Sequence, residues 1–283
     1  MSGAAEIDAP PTQAPPSGVT VDAFLGGRVE AVQPAAGHHR SGLEAVLLAA
    51  SLDSRITGTV VDLGAGAGVA GFCAAARCKR AKVVLVERDA ELIECARLAL
   101  ARPANAAFAE RVRIVAADIA GPQVEREQAG AGRDLADHVL LNPPFYDRAG
   151  GTRSPARARA SAHVLAGSGL DPWFRAAASV LKFGGDVTVV FRADGLAELL
   201  SAAARRFGAA EIMPVMPRPE RPAHRLLVRA VKGSRAALKI LPPLVLHGED
   251  GNAFTPGVEA MLREGKALAT VNRAWHGGRA RPS

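Results

Sequence analysis

Aromatic residues make up only 4% of this chain, and cysteines number three in 283 residues. Cys73, Cys78 and Cys95 are too few and too unevenly spaced for a zinc site or a disulfide framework. Two fall in one expected helix and the third in another, so buried thiols in a reducing cytoplasm are expected, with no metal. No apolar run reaches the roughly eighteen residues that a membrane span requires. The opening residues, MSGAAEIDAPPTQAPPSG, carry neither a basic start nor an apolar stretch, which argues against a signal peptide. Acidic residues are outnumbered, 28 against 35 lysines and arginines, and the net charge of +7 favours a polyanionic partner without requiring one.

What is present is ordinary for a globular protein, with 48% hydrophobic and 22% charged residues. The length suits one large α/β domain with an extension. Residues 1–18 are rich in Pro, Ala and Ser and are expected to form a disordered tail. A single domain is expected over 19–270, comprising an N-terminal segment (21–56), an α/β core (57–232) and a C-terminal extension (233–270), followed by a basic tail (271–283). Gly26-Gly27 reads as the turn of a hairpin, and Leu43–Ser51 as an apolar helix. From Thr59 strands and helices alternate: strands over Thr59–Leu63, Lys82–Glu87, Arg111–Ala116, His138–Leu141 and Asp186–Arg192, helices over Val69–Arg77, Ala90–Ala101, Pro172–Leu181 and Leu196–Phe207. Glu211–Val215 and Arg225–Val231 form a last strand pair, and Gly257–Leu268 a last helix. The alternation predicts a Rossmann-like, doubly wound, mostly parallel sheet that ends in an antiparallel pair.

Val60-Val61-Asp62-Leu63-Gly64-Ala65-Gly66-Ala67-Gly68 is an apolar strand that runs into three alternating glycines and then a helix. Such glycines let a backbone turn sharply and approach a ligand closely. Dinucleotide dehydrogenases share this feature. The spacing G-x-G-x-G, with Asp62 two residues before Gly64, favours S-adenosylmethionine, because a carboxylate there suits a cationic amino acid moiety and repels a pyrophosphate. Glu87 ends the next strand, 19 residues after Gly68, where a carboxylate can accept both ribose hydroxyls of a cofactor. Asp118 closes the third strand and either accepts from the adenine amino group or caps a following turn.

Asn142-Pro143-Pro144-Phe145 ends the fourth strand. Two consecutive prolines cannot continue a ladder, so the chain leaves the sheet at Asn142. All four strand ends should then line one rim, the side on which open α/β sheets bind ligands. There the Asn142 side-chain oxygen and the Pro143 carbonyl can accept the two hydrogens of a base's exocyclic amine, while Phe145 stacks on the ring. Nitrogen then gains tetrahedral character and its lone pair can face a sulfonium methyl. Tyr146 either stacks or caps the loop.

Arg148, Arg153, Arg157 and Arg159, with His163, follow this motif. A second cluster is Arg218, Arg221, His224 and Arg225, and a third runs from Arg273 to Arg281. The loop cluster and Arg225 are candidate phosphate contacts, against the alternative of a solvated charged face. The stretch Asp171-Pro172-Trp173-Phe174 imitates an acid-proline-aromatic motif, but it precedes a helix, so Asp171 is expected as an N-cap with Pro172 in the first turn.

With these residues in view, the chain resembles class I S-adenosylmethionine-dependent methyltransferases. More closely it is similar to the bacterial tRNA (adenine-N6)-methyltransferases that modify the adenine beside the anticodon of a valine tRNA. The marks are Gln33, Gly37-His38-His39-Arg40, Glu44 to Ala50, Asp62-Leu63-Gly64-Ala65-Gly66, Asn142-Pro143-Pro144-Phe145-Tyr146 and His224-Arg225-Leu226-Leu227. Glu44 stands where that family has aspartate, and Phe145 where many adenine enzymes have tyrosine; a phenylalanine there also resembles the guanine-N2 rRNA enzymes. The resemblance implies methyl transfer to an exocyclic amine in structured RNA, with adenine N6 of tRNA as the leading target. An rRNA guanine or a protein glutamine amide is the rival substrate. A non-enzymatic RNA-binding scaffold and a NAD dehydrogenase are alternatives of other classes.

Overall fold

The computed structural model describes residues 17–38, 40–144 and 169–275. Phe145, Tyr146, Arg148, Arg153, Arg157, Arg159 and His163 lie outside the described residues, as do the first sixteen positions and 276–283. Strands β1 (Val19–Phe24) and β2 (Val29–Pro34) pair antiparallel around a single 3-10 turn at Leu25–Gly27. Helix α1 (Leu43–Ser51) follows, then β3 (Thr57–Leu63), α2 (Val69–Arg77), β4 (Arg80–Glu87), α3 (Ala90–Leu100) and a short helix α4 (Ala106–Ala109). The chain continues through β5 (Val112–Ala116), α5 (Gln123–Ala129), β6 (Ala136–Leu141), α6 (Asp171–Val180), β7 (Leu181–Arg192) and α7 (Leu196–Ala203). It closes with β8 (Phe207–Met216), β9 (Arg225–Lys232), the two-residue strands β10 (Lys239–Ile240) and β11 (Leu244–Val245), and helices α8 (Pro256–Glu264) and α9 (Leu268–Val271).

Strands β3 to β11 form one sheet in the order β10-β8-β9-β7-β6-β3-β4-β5, with β11 also on β8. Every neighbouring pair is parallel except those made by β9, which runs antiparallel to both β7 and β8. The expected mostly parallel sheet with a terminal antiparallel pair is therefore observed. Strands buried on both faces read as continuous apolar runs, and β3 obeys that rule. Val60 faces a cluster built with α1, α2, α3 and α8, while Val61 and Leu63 face a second cluster built with α6 and α7. All three are fully buried, each contributing roughly 1.5–3 kcal/mol of hydrophobic stabilisation. The C-terminal helices lie against the first cluster. Arg77 Nε donates to the Gly265 carbonyl at 2.8 Å, and the buried Trp275 donates from Nε1 to the Ser51 carbonyl at 2.8 Å.

Several local expectations are corrected. The strand expected over Asp186–Arg192 begins earlier, at Leu181, and takes Gly184-Gly185 inside β7, beside a register shift against β6 between Ala136 and His138. A bulge absorbs the glycines there without ending the strand. Helix α7 stops at Ala203, and Phe207, expected as its last residue, opens β8. The periodicity misleads because Phe207 enters the same apolar cluster and packs edge-on against Phe174, with centroids 5.7 Å apart. Between β5 and β6, where no element is expected from the sequence, lies α5, which ends on the left-handed Gly130. Asp171 is the first residue inside α6, not its N-cap; its carboxylate pairs with Arg206 at 2.8 Å and with Arg175. Cys78 follows α2 directly, and all three cysteines are buried free thiols.

Candidate active site

Between β3 and β6 the strand order reverses, with β4 and β5 on one side and β7 on the other. Such a reversal opens a crevice at the carboxyl ends of the strands. Leu63 is paired with Leu141 and with Val86, and Glu87 with Ala116. The residues side by side at this end of the sheet are therefore Asn142, Gly64, Glu87 and Ala116, and the expected rim is assembled by register.

The glycine turn is pinned to β4. Gly64 and Ala65 both donate to the Val86 carbonyl, at 2.8 and 3.0 Å, and Gly66 donates to Glu87 Oε2 at 2.9 Å. Glu87 Oε1 accepts the amides of Arg88 and Asp89 at 2.8 and 3.0 Å. Three amides on a carboxylate with roughly four acceptor positions leave space for a hydroxyl donor. Gly66 has φ +58°, and nothing lies within 4 Å of the place a Cβ would take. That open side of the turn, edged by the Glu87 carboxylate, leaves room for S-adenosylmethionine to approach the backbone.

Asp62 stands two residues below the rim and is buried, facing α2, where Oδ2 accepts the Gly71 amide at 2.9 Å. Burial pushes its carboxyl up to about 7, a shift reduced by the Gly71 hydrogen bond and increased by nearby Glu87. Asp118 takes the turn-capping reading and adds an ion pair. Oδ1 accepts the Ala120 amide at 2.8 Å, as a turn cap does, and Oδ2 pairs with Arg88 at 2.9 Å on the open rim.

At Asn142 the chain turns out of β6, with Pro143 buried and Pro144 exposed. The Asn142 Oδ1 atom is buried and has no hydrogen-bond partner among the described residues. A buried acceptor left unpaired costs about 1–3 kcal/mol, and such atoms are uncommon enough to demand an explanation. A donor from a substrate supplies one.

Arg225 opens β9 opposite Arg192, at the same end of the sheet. Its Nε pairs with Glu44 Oε1 on α1 at 3.3 Å, and Nη1 donates to the His224 carbonyl at 3.1 Å. The guanidinium is thus engaged within the protein. Glu44 and Arg225, far apart in the chain, are brought together here. The segment before α1 is also held: Arg40 clasps Asp22 at 2.6 Å, Gln33 Nε2 donates to Asp22 at 2.7 Å, and His38 reaches Glu91 at 3.0 Å. Trp173, not among the expected site residues, lies against Gly64. No group of metal-binding side chains occurs among the described residues, and no helix there is long and apolar enough to cross a membrane.

A glycine turn and a proline-broken strand end, meeting where this sheet reverses its order, define a class I, Rossmann-like methyltransferase. The chain belongs to the methyltransferase small domain family, whose model matches residues 39–213, and it is an S-adenosylmethionine-dependent methyltransferase. This overturns the dehydrogenase and scaffold alternatives. A solved structure described as a predicted O-methyltransferase from Agrobacterium tumefaciens is 36% identical, with a TM-score of 0.66 over 77% of this chain and 94% of that one. The tRNA1(Val) (adenine(37)-N6)-methyltransferase of Porphyromonas gingivalis is 28% identical over 193 residues, 66% of this chain and 72% of that protein. The ribosomal RNA large subunit methyltransferase G of Pseudoalteromonas translucida is 34% identical over 88 residues, 31% of this chain and 21% of that protein.

Proposed function

We propose that the protein methylates an exocyclic amine of a nucleobase in structured RNA, with adenine N6 in a tRNA as its target. The observation that carries this reading is the buried, partnerless Asn142 Oδ1, one strand across from the glycine turn. An amine nitrogen conjugated to a ring is a poor nucleophile. With one hydrogen accepted by Asn142 Oδ1 and the other by the Pro143 carbonyl, its lone pair localises and turns toward the methyl donor. S-adenosylmethionine, when bound, supplies an electrophilic methyl on a sulfonium. Asp62, Gly64, Gly66, Glu87 and Asp118 are the proposed cofactor residues, and Phe145 the proposed stacking partner of the base.

The two prolines fix φ at the two positions that follow Asn142, and β6 holds the chain before it, so the acceptors are held before substrate arrives. No strong base is required, because the developing ammonium is acidic and gives its proton to solvent. A hydroxyl substrate, of the kind the Agrobacterium relative's description implies, offers one hydrogen where this turn offers two acceptors. The P. gingivalis relative's name supports the tRNA target. The rRNA relative, which matches a shorter segment, supports ribosomal RNA as the second reading.

Labelled methyl transfer to total tRNA, total rRNA and ribosomal proteins from cells lacking the gene tests the substrate. Label is expected in tRNA; label in protein alone would overturn the reading, and label in rRNA alone would select the second one. An Asn142→Ala variant is expected to lose about 100- to 1,000-fold in kcat, the range typical of one lost charge-stabilising acceptor or donor. Its affinity for the cofactor should stay within about threefold. Wild-type turnover in that variant would sink the mechanism.

A further inference from the structure

The two glycines of the cofactor turn are surrounded differently. A Cβ on Gly66 would meet nothing within 4 Å, whereas one on Gly64 would stand 2.6 Å from both Cη2 and Cζ3 of Trp173. Real Cβ atoms do not approach so closely, and Trp173 has little room to retreat. It is 7% exposed, in the first turn of α6, between the buried Leu170 and Phe174. Phe174 is in turn packed on Phe207, and Asp171 is held by Arg206 at 2.8 Å. On its other edge the turn is bonded to the Val86 carbonyl and the Glu87 carboxylate.

We infer that Trp173 is a positioning residue for S-adenosylmethionine binding: its indole is the wall against which the Gly64 backbone is set, so that Gly66 faces the cofactor at the right height. Positive φ, +69° at Gly64 and +58° at Gly66, favours glycine at both positions; in this assignment Trp173 closes the space beside Gly64 and the space beside Gly66 is left to the cofactor. The Asp171-Pro172-Trp173-Phe174 stretch then has a role beyond starting a helix. Its proline shapes the first turn of α6, and that turn aims the ring at Gly64. Glycine adopts the φ of +69° at Gly64 without strain and with wide freedom, so the ring packed against it limits where the turn can sit. A side chain that lacks the outer indole atoms Cη2 and Cζ3 should let the turn sag, an aliphatic one the most. Misplacement of a binding element by about 1 Å can cost on the order of 100-fold.

The inference concerns the cofactor turn only, so it stands or falls independently of which amine is methylated. Calorimetric titration with S-adenosylhomocysteine, at a temperature where every variant is folded, tests it. W173F, whose ring lacks the outer indole atoms, is expected to bind between wild type and W173L, and W173L about 10- to 100-fold more weakly than wild type. G64A should bind about as weakly as W173L or worse. The double variant G64A/W173L should bind more tightly than G64A alone, because the second change removes what the new methyl strikes. Should W173L fold poorly, W173M takes its place. A residue that only fills the core would lower the melting temperature without changing affinity. Wild-type affinity in W173L, or a double variant weaker than G64A, would overturn the inference. Emission gives a second readout, since the other tryptophan, Trp275, is bonded to Ser51 at the far end of α1. The change on adding S-adenosylhomocysteine should persist in W275F and vanish in W173F. A response that survives in W173F would count against the assignment.

Discussion

Asp62 illustrates what a single side chain contributes beyond its position in a motif. Spacing assigns it to the cationic amino acid moiety of the cofactor, and the structure buries it beneath the glycine turn with its carboxyl raised to about 7. A carboxyl raised on folding stabilises the folded chain fully below its ordinary value of 3.8, and that contribution is lost as pH rises through about 7. D62N should therefore flatten the dependence of melting temperature on pH between about 4 and 7. If the ammonium of the cofactor binds near it, ionisation is favoured and a proton leaves on binding. Calorimetry near pH 6.5, in buffers of different ionisation enthalpy, should show release in wild type and none in D62N. Equal heats in all buffers for wild type would dismiss the assigned role. Asn142 was legible at the same level, because two prolines after an apolar run announce a strand end. That its oxygen is both buried and unpaired was not, since burial depends on neighbours distant in the chain.

Among the elements, β6 to β9 carry a buried ladder of charge that no motif announced. His138 Nδ1 meets Asp186 Oδ2 at 3.1 Å, Arg229 Nη2 meets the same oxygen at 3.0 Å, and Arg229 Nη1 reaches Glu211 at 3.4 Å. These pairs cross the seam where the sheet changes from parallel to antiparallel, and they favour one register there. Burial opposes ionisation of Asp186, but His138 and Arg229 beside it hold its carboxyl down to about 2. Burial also opposes protonation of His138, yet Asp186 raises it above its ordinary value. The Asp186 contribution is present above its ordinary value and lost only as pH falls toward about 2. The His138 contribution is present in acid and is lost as pH rises through its elevated value. D186N removes the carboxylate that His138 and Arg229 share, leaving Arg229 to Glu211, and should cost about 3 kcal/mol in urea unfolding at pH 7. A loss below about 1 kcal/mol would show that solvent reaches the pair. Most elements could be read from periodicity, such as α1 and α2, whose expected and observed bounds coincide. Helix α5 could not, because its face toward the protein is scarcely more apolar than its face toward water. The bulge in β7 was equally hidden, since a glycine pair reads locally as a turn.

For the molecule as a whole, the net charge of +7 fits an anionic partner, and the β8–β9 turn places basic side chains at the cofactor end of the sheet. Arg221 is exposed there, whereas Arg225 is tied to Glu44 and Arg218 donates to the carbonyls of Gly248 and Gly251. Affinity for tRNA should therefore fall steeply with salt, and R221A should reduce the log–log slope by about one while leaving cofactor affinity unchanged. R225A should instead act through the lost Glu44 contact, weakening turnover or stability without moving that slope. A slope unchanged in R221A would remove this turn from the RNA interface.

The order of strands and helices, the glycine turn and the proline-broken strand end were determined by short stretches of chain, because apolar periodicity, glycine and proline act over a few residues. Which way a side chain at a strand end faces was decided by register and by the helix laid over it. Asp62 turned to α2, Arg225 to α1, and Trp173 to the glycine turn through contacts between residues as much as 181 positions apart. Those contacts form only when the sheet closes, and no local pattern encodes them.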